Sequence, residues 1–117
     1  MYEYKCKLLR VVDGDTCVMD LDLGFTVHVT VTFRLFGINA PEPTGKTKSA
    51  GLAAKTHLEE LFANCDPTTL IVKSEKSLKT DKYGRWLATF TATNTLDKCA
   101  VNINQQMLLD GFAVASC

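Results

Sequence analysis

Residues 26–36, TVHVTVTFRLF, alternate between polar and apolar side chains along their whole length. Val27, Val29, Val31, Phe33 and Leu35 fall on one side of an extended chain, and Thr26, His28, Thr30, Thr32 and Arg34 on the other. That period of two predicts a half-buried strand, with Arg34 projecting away from the core. Upstream, residues 5–12 (KCKLLRVV) and 15–23 (DTCVMDLDL) are two further β-rich runs, separated by Asp-Gly and Leu-Gly-Phe turns. Downstream, a proline-bounded loop over 37–46 leads to SAGLAAKTHLEELFAN, residues 49–64. Ala54, Leu58, Leu61 and Phe62 recur there at helical spacing, with Ser49 placed to cap the start and Asn64 to end the helix. Residues 69–75 and 86–93 read as two more strands joined by the polar stretch 79–85. Asn104 is the expected N-cap of a short helix, 105–110, closed by Gly111. This element order predicts a mainly β fold with helices (α+β). That is the sequence order of a five-stranded Greek-key barrel of the OB type, with one longer helix between strands 3 and 4 and a short C-terminal helix. A partly open α+β sheet has the same order and stays open on pattern alone.

The chain has 117 residues, enough for one domain and one core. Its composition, 46% hydrophobic and 22% charged with Gly 7 and Pro 3, excludes a disordered or fibrous class. No apolar run approaches the roughly 20 residues that span a bilayer. The start, MYEYKCK, has no signal-peptide core, so an intracellular protein is expected, with a phage or mobile-element origin compatible. Five cysteines show no C-x-x-C spacing and are expected mainly as small buried hydrophobes. His28 and His57 lack metal-ligand spacing and are expected in surface or packing roles. Net charge is zero, from 13 basic and 13 acidic residues, which argues against a protein that coats polyanions generally. The charge is nevertheless segregated. Asp13, Asp15, Asp20 and Asp22 stand together without a basic neighbour, and Lys73, Lys76, Lys79, Lys82 and Arg85 lie in a later basic stretch. Lys46 and Lys48 add to the basic side.

Three motifs carry chemistry. In Asp13-Gly14-Asp15-Thr16 a hairpin turn accounts for the first two residues but not for a second carboxylate. Asp15, expected to begin a strand where Asp is disfavoured, is therefore a candidate cation ligand. An EF-hand is excluded, since no third acid continues the alternate spacing and no Glu stands at loop position twelve. In Arg34-Leu-Phe-Gly-Ile-Asn39-Ala40-Pro41-Glu42-Pro43, Glu42 is held between two prolines that keep it out of a helix. Asn39 and the Ala40 carbonyl offer hard oxygen ligands for Ca²⁺ or Mg²⁺. In Asp81-Lys82-Tyr83-Gly84-Arg85, the chain places one of its three arginines (10, 34, 85). Two guanidiniums can clamp a phosphate and stabilise its extra charge in a transition state. A carboxylate pair for a metal, one pinned Glu to activate water and two Arg form a phosphodiesterase set.

The pieces VVDGDT (11–16), FRLFGINAPE (33–42), TDKYGRWLA (80–88) and INQQMLLDGFA (103–113) together resemble the staphylococcal nuclease-like (thermonuclease) family, in order and in spacing. The resemblance implies an OB-type barrel that hydrolyses DNA and/or RNA phosphodiesters with Ca²⁺, ahead of Mg²⁺ or Mn²⁺, and leaves 3′-phosphate ends. It implies metal binding by Asp15 and the Ala40 carbonyl, with Asn39 at a position where the family often has a second aspartate. Glu42 matches the general base or water-orienting glutamate, and Arg34 and Arg85 the phosphate-binding arginines. Lys82 and Tyr83 match contacts to a terminal phosphate, with Lys46 and Lys48 as further substrate-binding candidates. The hairpin between Asp15 and Arg34 is longer than in the best-known member. Cys117 stands where a nucleotide-stacking tyrosine is expected, and the usual last C-terminal helix is expected to be absent. The expected protein is a monomeric single-domain endonuclease of little sequence specificity, without membrane contact. The alternative is a catalytically weak or inactive module of the same fold that binds nucleic acid or protein.

Overall fold

The alternating run forms β3 (His28–Leu35) of a computed structural model that describes residues 3–42, 45–74 and 86–115. Phe33 and Leu35 are buried and Val31 is half-buried, as the alternation requires, but Val29 and Val27 are exposed. The inward face thus runs past the core, because the hairpin that β3 makes with β2 (Thr16–Asp22) extends beyond the elements packed beneath it. The two strands are antiparallel, with Thr16 opposite Arg34 and Asp22 opposite His28. β1 (Glu3–Asp13) pairs with β2 and, through Glu3–Lys5, with β5 (Ile71–Ser74). An irregularity between Leu8 and Arg10 lets this long strand bend around the barrel. β5 pairs with β6 (Trp86–Thr93), which returns parallel to β3 over Phe33–Leu35 and closes a mixed five-stranded barrel. This is the OB-type α+β fold, closed rather than an open sheet. β7 (Ala100–Asn102) continues the sheet beyond β6. A separate two-residue ladder joins β4 (Ile38–Asn39) to β8 (Val114–Ala115).

Phe90, fully buried, receives the ring edges or faces of Phe33 and Phe62 at 5.7 and 5.8 Å, both near-perpendicular. Such edge-to-face packing suits the aromatic quadrupole. The helix α1 (Lys48–Ala63) buries Gly51, Ala54, Leu58 and Phe62 against this core. Cys6, Cys17 and Cys65 are buried, and desolvation pushes the Cys6 thiol up to about 12, so they serve as apolar filler. His57 stacks on Phe112 at 4.1 Å and hydrogen-bonds Asp110 at 2.6 Å, tying α1 to the end of α2 (Ile103–Leu109). That bond holds the Asp110 carboxyl below its ordinary range. Among the described residues, no helix is long and apolar enough to cross a membrane.

Three expectations need correction. Ser49 does not cap α1: Thr47 occupies the N-cap position, and its hydroxyl donates to the Glu42 carbonyl at 2.7 Å. Asn104 is not a cap either. Asn102 caps α2 by accepting from the Gln105 N–H at 3.1 Å, while Asn104 is buried within the first turn. Asp15 lies in the turn before β2 rather than in the strand. The short strands β4, β7 and β8 had no signal, because two or three residues show no period.

Candidate functional site

The β1–β2 turn places Asp13, Gly14 and Asp15 directly against α1 and the segment after β4. Gly14 does not have the positive φ of a turn glycine. Its side-chain space is instead filled: a Cβ there would lie 2.6 Å from the Ala54 Cβ and 2.7 Å from the Ala40 Cβ. Glycine is required by close approach, and this seats the turn between the helix and the site loop. Gly14→Ala is expected to lower stability by about 1–3 kcal/mol, the usual cost of overpacking, and to displace Asp15. Thermal unfolding and a Ca²⁺ titration of the variant measure both effects.

Asp15 is only 8% exposed, so its carboxylate must be compensated where it stands. One oxygen accepts from the Ala40 N–H at 3.0 Å and the other from the Thr16 hydroxyl at 3.0 Å. Its own N–H donates to Asp13 Oδ1 at 3.1 Å, and its carbonyl accepts from the Leu35 N–H at 2.7 Å. Burial, followed by the contact and repulsion of Asp15, pushes the Asp13 carboxyl up from 3.8 to about 6. The native protein therefore holds the Asp13 proton more tightly than the unfolded chain. Between pH 4 and 6, on the order of those two values, metal-free stability should fall as pH rises, and the cost persists above pH 6. In EDTA, Asp13→Asn should melt at a higher temperature than the parent near pH 7, the two curves converging below about pH 4. Melting temperatures across that pH range give the comparison.

Arg34 does project outward from β3, but into a turn rather than into open solvent, and its side chain is 17% exposed. Its Nη2 donates to the Ile38 carbonyl at 2.9 Å and to Asn39 Oδ1, and lies 3.9 Å from Asp15 Oδ2. Three separate pieces of chain thus converge: the turn bearing Asp15, the end of β3 bearing Arg34, and the Asn39–Ala40 segment. Glu42 follows two residues later and is exposed. Lys46 lies in a 3₁₀ turn, Gly45–Thr47, and Lys48 opens α1, both exposed. The first turn of α1 holds no acid, so its positive dipole end and the two lysines favour an anion. Lys82, Tyr83 and Arg85 lie outside the described residues.

Asp20 and Asp22 do not belong to this site. They sit toward the far end of β2, opposite Lys7 and Lys5 of β1, with Asp20 bonded to His28 at 3.1 Å. Asp22 accepts from the Gly24 N–H at the hairpin turn. At about 3.3 Å per residue, Asp22 is roughly 20 Å along the strand from Asp15. The acidic run of sequence is therefore split between two ends of a hairpin. Sequence reasoning missed the contact role of Gly14 and the tie from Thr47 to Glu42; both depend on neighbours remote from the motif.

The oxygens placed against Arg34 are the Asp15 carboxylate, the Asn39 amide oxygen and the Ile38 carbonyl; Asp13 is tied to the Asp15 N–H, and Ala40 to the Asp15 carboxylate through its own N–H. Among the described residues, no three His, Cys, Asp or Glu side chains cluster as a metal site. An all-oxygen set of carboxylate, amide and carbonyl fits a hard cation such as Ca²⁺ or Mg²⁺, with water or substrate oxygen completing the shell. Burial raises Asp13 most, and the smaller contribution from repulsion by Asp15 is one that a cation would relieve.

The sequence profile of the family described as staphylococcal nuclease homologue matches residues 32–117. That span includes Arg34, Asn39, Ala40 and Glu42, while Asp15 lies upstream of it. An uncharacterized protein of Methanocaldococcus jannaschii is 29% identical over 129 aligned residues, which cover 94% of this chain. The chain spans 58% of the length of that curated relative.

Proposed function

The chain belongs to the staphylococcal nuclease homologue family, and from that premise we propose that it is a metal-dependent nuclease hydrolysing DNA and/or RNA phosphodiesters. The observation that supports this reading is the convergence of Asp15, Arg34, Asn39 and Ala40 from three chain segments. Asp15, with Asn39 and the Ala40 carbonyl, would hold Ca²⁺, which when bound neutralises phosphate charge and polarises the phosphorus–oxygen bond. Glu42 accepts the proton of the attacking water. That water forms the new bond to phosphorus as the 5′ oxygen leaves with the electron pair. Arg34 and Arg85 bind the non-bridging oxygens, whose charge grows in the transition state. Lys46, Lys48, Lys82 and Tyr83 hold flanking phosphates and sugars of the strand.

Incubation of the protein with single-stranded DNA or RNA in Ca²⁺ should give fragments ending in 3′-phosphate, and EDTA should stop the reaction. A second reading has its own support: the neutral Asn39 amide is bonded to the Arg34 guanidinium, a pairing compatible with a binding module of weak or absent catalysis. Retention of nucleic acid without EDTA-sensitive cleavage decides for that module and against the nuclease. In the nuclease reading, Asn39→Asp adds a charged ligand and should lower the Ca²⁺ needed for half-maximal activity, on the order of tenfold. An unchanged or higher requirement removes Asn39 from the metal's ligands.

A further inference from the structure

Among the described residues, β3 leaves an edge open. Its C-terminal end, Phe33–Leu35, pairs with β6, and the whole strand pairs with β2 on the other side. Among the described residues, His28–Thr32 have no strand on the side away from β2. The side chains there are not covered either. Leu23, Val27 and Val29 are 42%, 52% and 40% exposed, and Phe25 at the hairpin tip is 99% exposed. Natural edge strands are protected by lysine, inward charge, proline or a bulge. Residues 26–32, TVHVTVT, carry none of these; they are rich in β-branched residues and His28 is their only titratable side chain.

The strand is also its own complement. Antiparallel pairing of two copies about a two-fold axis at Val29 sets Val29 against Val29 of the second copy and Val27 against Val31. On the other face His28 meets Thr30, while Thr26 lies in the hairpin turn and takes no part in the seam. Apolar residues meet only apolar ones, and no two like charges face each other across the seam. Asp20 and Asp22 stand one strand back, opposite Thr30 and His28 respectively, so carboxylates flank the seam without entering it. We propose that this edge is a self-association site, at which a second copy of the chain adds β3 to β3 and makes one sheet continuous across two barrels. The tip residues Leu23 and Phe25, exposed in one copy, then border the shared apolar face. So short a seam belongs to the weak class of interfaces, which sets the dimer at about 10 µM or above.

Sedimentation velocity of the full chain from about 10 µM to about 1 mM tests this, because a weak interface declares itself by mass action. The parent should shift from monomer to dimer across that range. Val29→Lys and Val27→Lys should each remain monomeric throughout, while Leu96→Lys, at a 90% exposed position elsewhere, should dimerise as the parent does. Amide exchange within 28–32 should slow as the parent is concentrated. Two lysine variants, each checked by thermal unfolding, keep the test independent of one that fails to fold. A parent that stays monomeric to the top of the range overturns the proposal, and so does a dimer that survives both β3 substitutions.

Discussion

Glu42→Gln is expected to fold as the parent does and to cleave single-stranded DNA about 10²–10⁴-fold more slowly, the range for removal of a positioned general base. The substitution keeps the shape and exposure of the side chain and takes away only its ability to accept a proton. Glu42 is exposed, so no core contact is lost. Its backbone is fixed by Pro41 and Pro43 in the sequence and by the Thr47 hydroxyl, which donates to its carbonyl at 2.7 Å. The loss should therefore fall on kcat, with KM changing far less. Arg34→Ala would be a less clean experiment. That guanidinium also donates to the Ile38 carbonyl and to Asn39, so its removal disturbs the loop as well as the phosphate site. Single-turnover cleavage rates with a melting curve for each protein separate the two effects. A full rate in Glu42→Gln sinks the role assigned to this residue.

Asn104→Ala is expected to destabilise the fold by about 3–5 kcal/mol, from the buried Phe90 N–H deprived of the amide oxygen, the two bonds that the amide N–H groups no longer donate, and a cavity that opens beside them. Asn104 is 5% exposed and uses both ends of its amide. Oδ1 accepts from the Phe90 N–H at 3.1 Å, and Nδ2 donates to the carbonyls of Phe36 and Ala88, each at 2.9 Å. The Ala88 carbonyl keeps the Phe36 N–H, at 2.8 Å, when the side chain goes. The Phe36 carbonyl and the Phe90 N–H lose what Asn104 supplies. The amide thus clamps α2 to β6 and to the turn between Arg34 and Asn39, which links this buried residue to the geometry of the candidate site. Asn104→Asp sharpens the test. Its ionised carboxylate can accept from Phe90 but would face two carbonyl oxygens, so the variant should be least stable at neutral pH. Acid should restore part of the loss, because protonation supplies a donor. Chemical denaturation at two pH values measures this; a loss below about 1 kcal/mol in Asn104→Ala would show the amide to be no clamp.

The legible parts of this chain were those governed by near neighbours. The alternation of 26–36 and the turn residues before it placed the three N-terminal strands, and the spacing of Ala54, Leu58 and Phe62 placed α1 within a residue. The order of elements then pointed to the barrel. The residues of FRLFGINAPE gave Arg34, Asn39 and Ala40 as one group, and the structure brings them together with Asp15. The errors have a common cause. Asn and Ser favour the helix N-cap, which points to Asn104 and Ser49, but capping depends on where the helix begins to within one residue. The four aspartates of 13–22 read as one acidic cluster, yet an extended strand carries its two ends apart.

By itself, then, the sequence determined the longer elements, their order and the oxygen-rich character of the site segment, while closure of the barrel came from the parallel pairing of β3 with β6. Period, turn chemistry and composition act within a few residues, where the chain's own geometry already says who is near whom. Only the tertiary structure decided what lies against what. It made Gly14 a contact glycine under Ala54 and Ala40, turned Asn104 into a clamp on Phe36, and set Arg34 between Asp15 and Asn39. Among the described residues, it also left the outer half of β3 exposed. Those facts depend on close packing between segments far apart in the chain, and a difference of one residue in register or one ångström in approach reverses them.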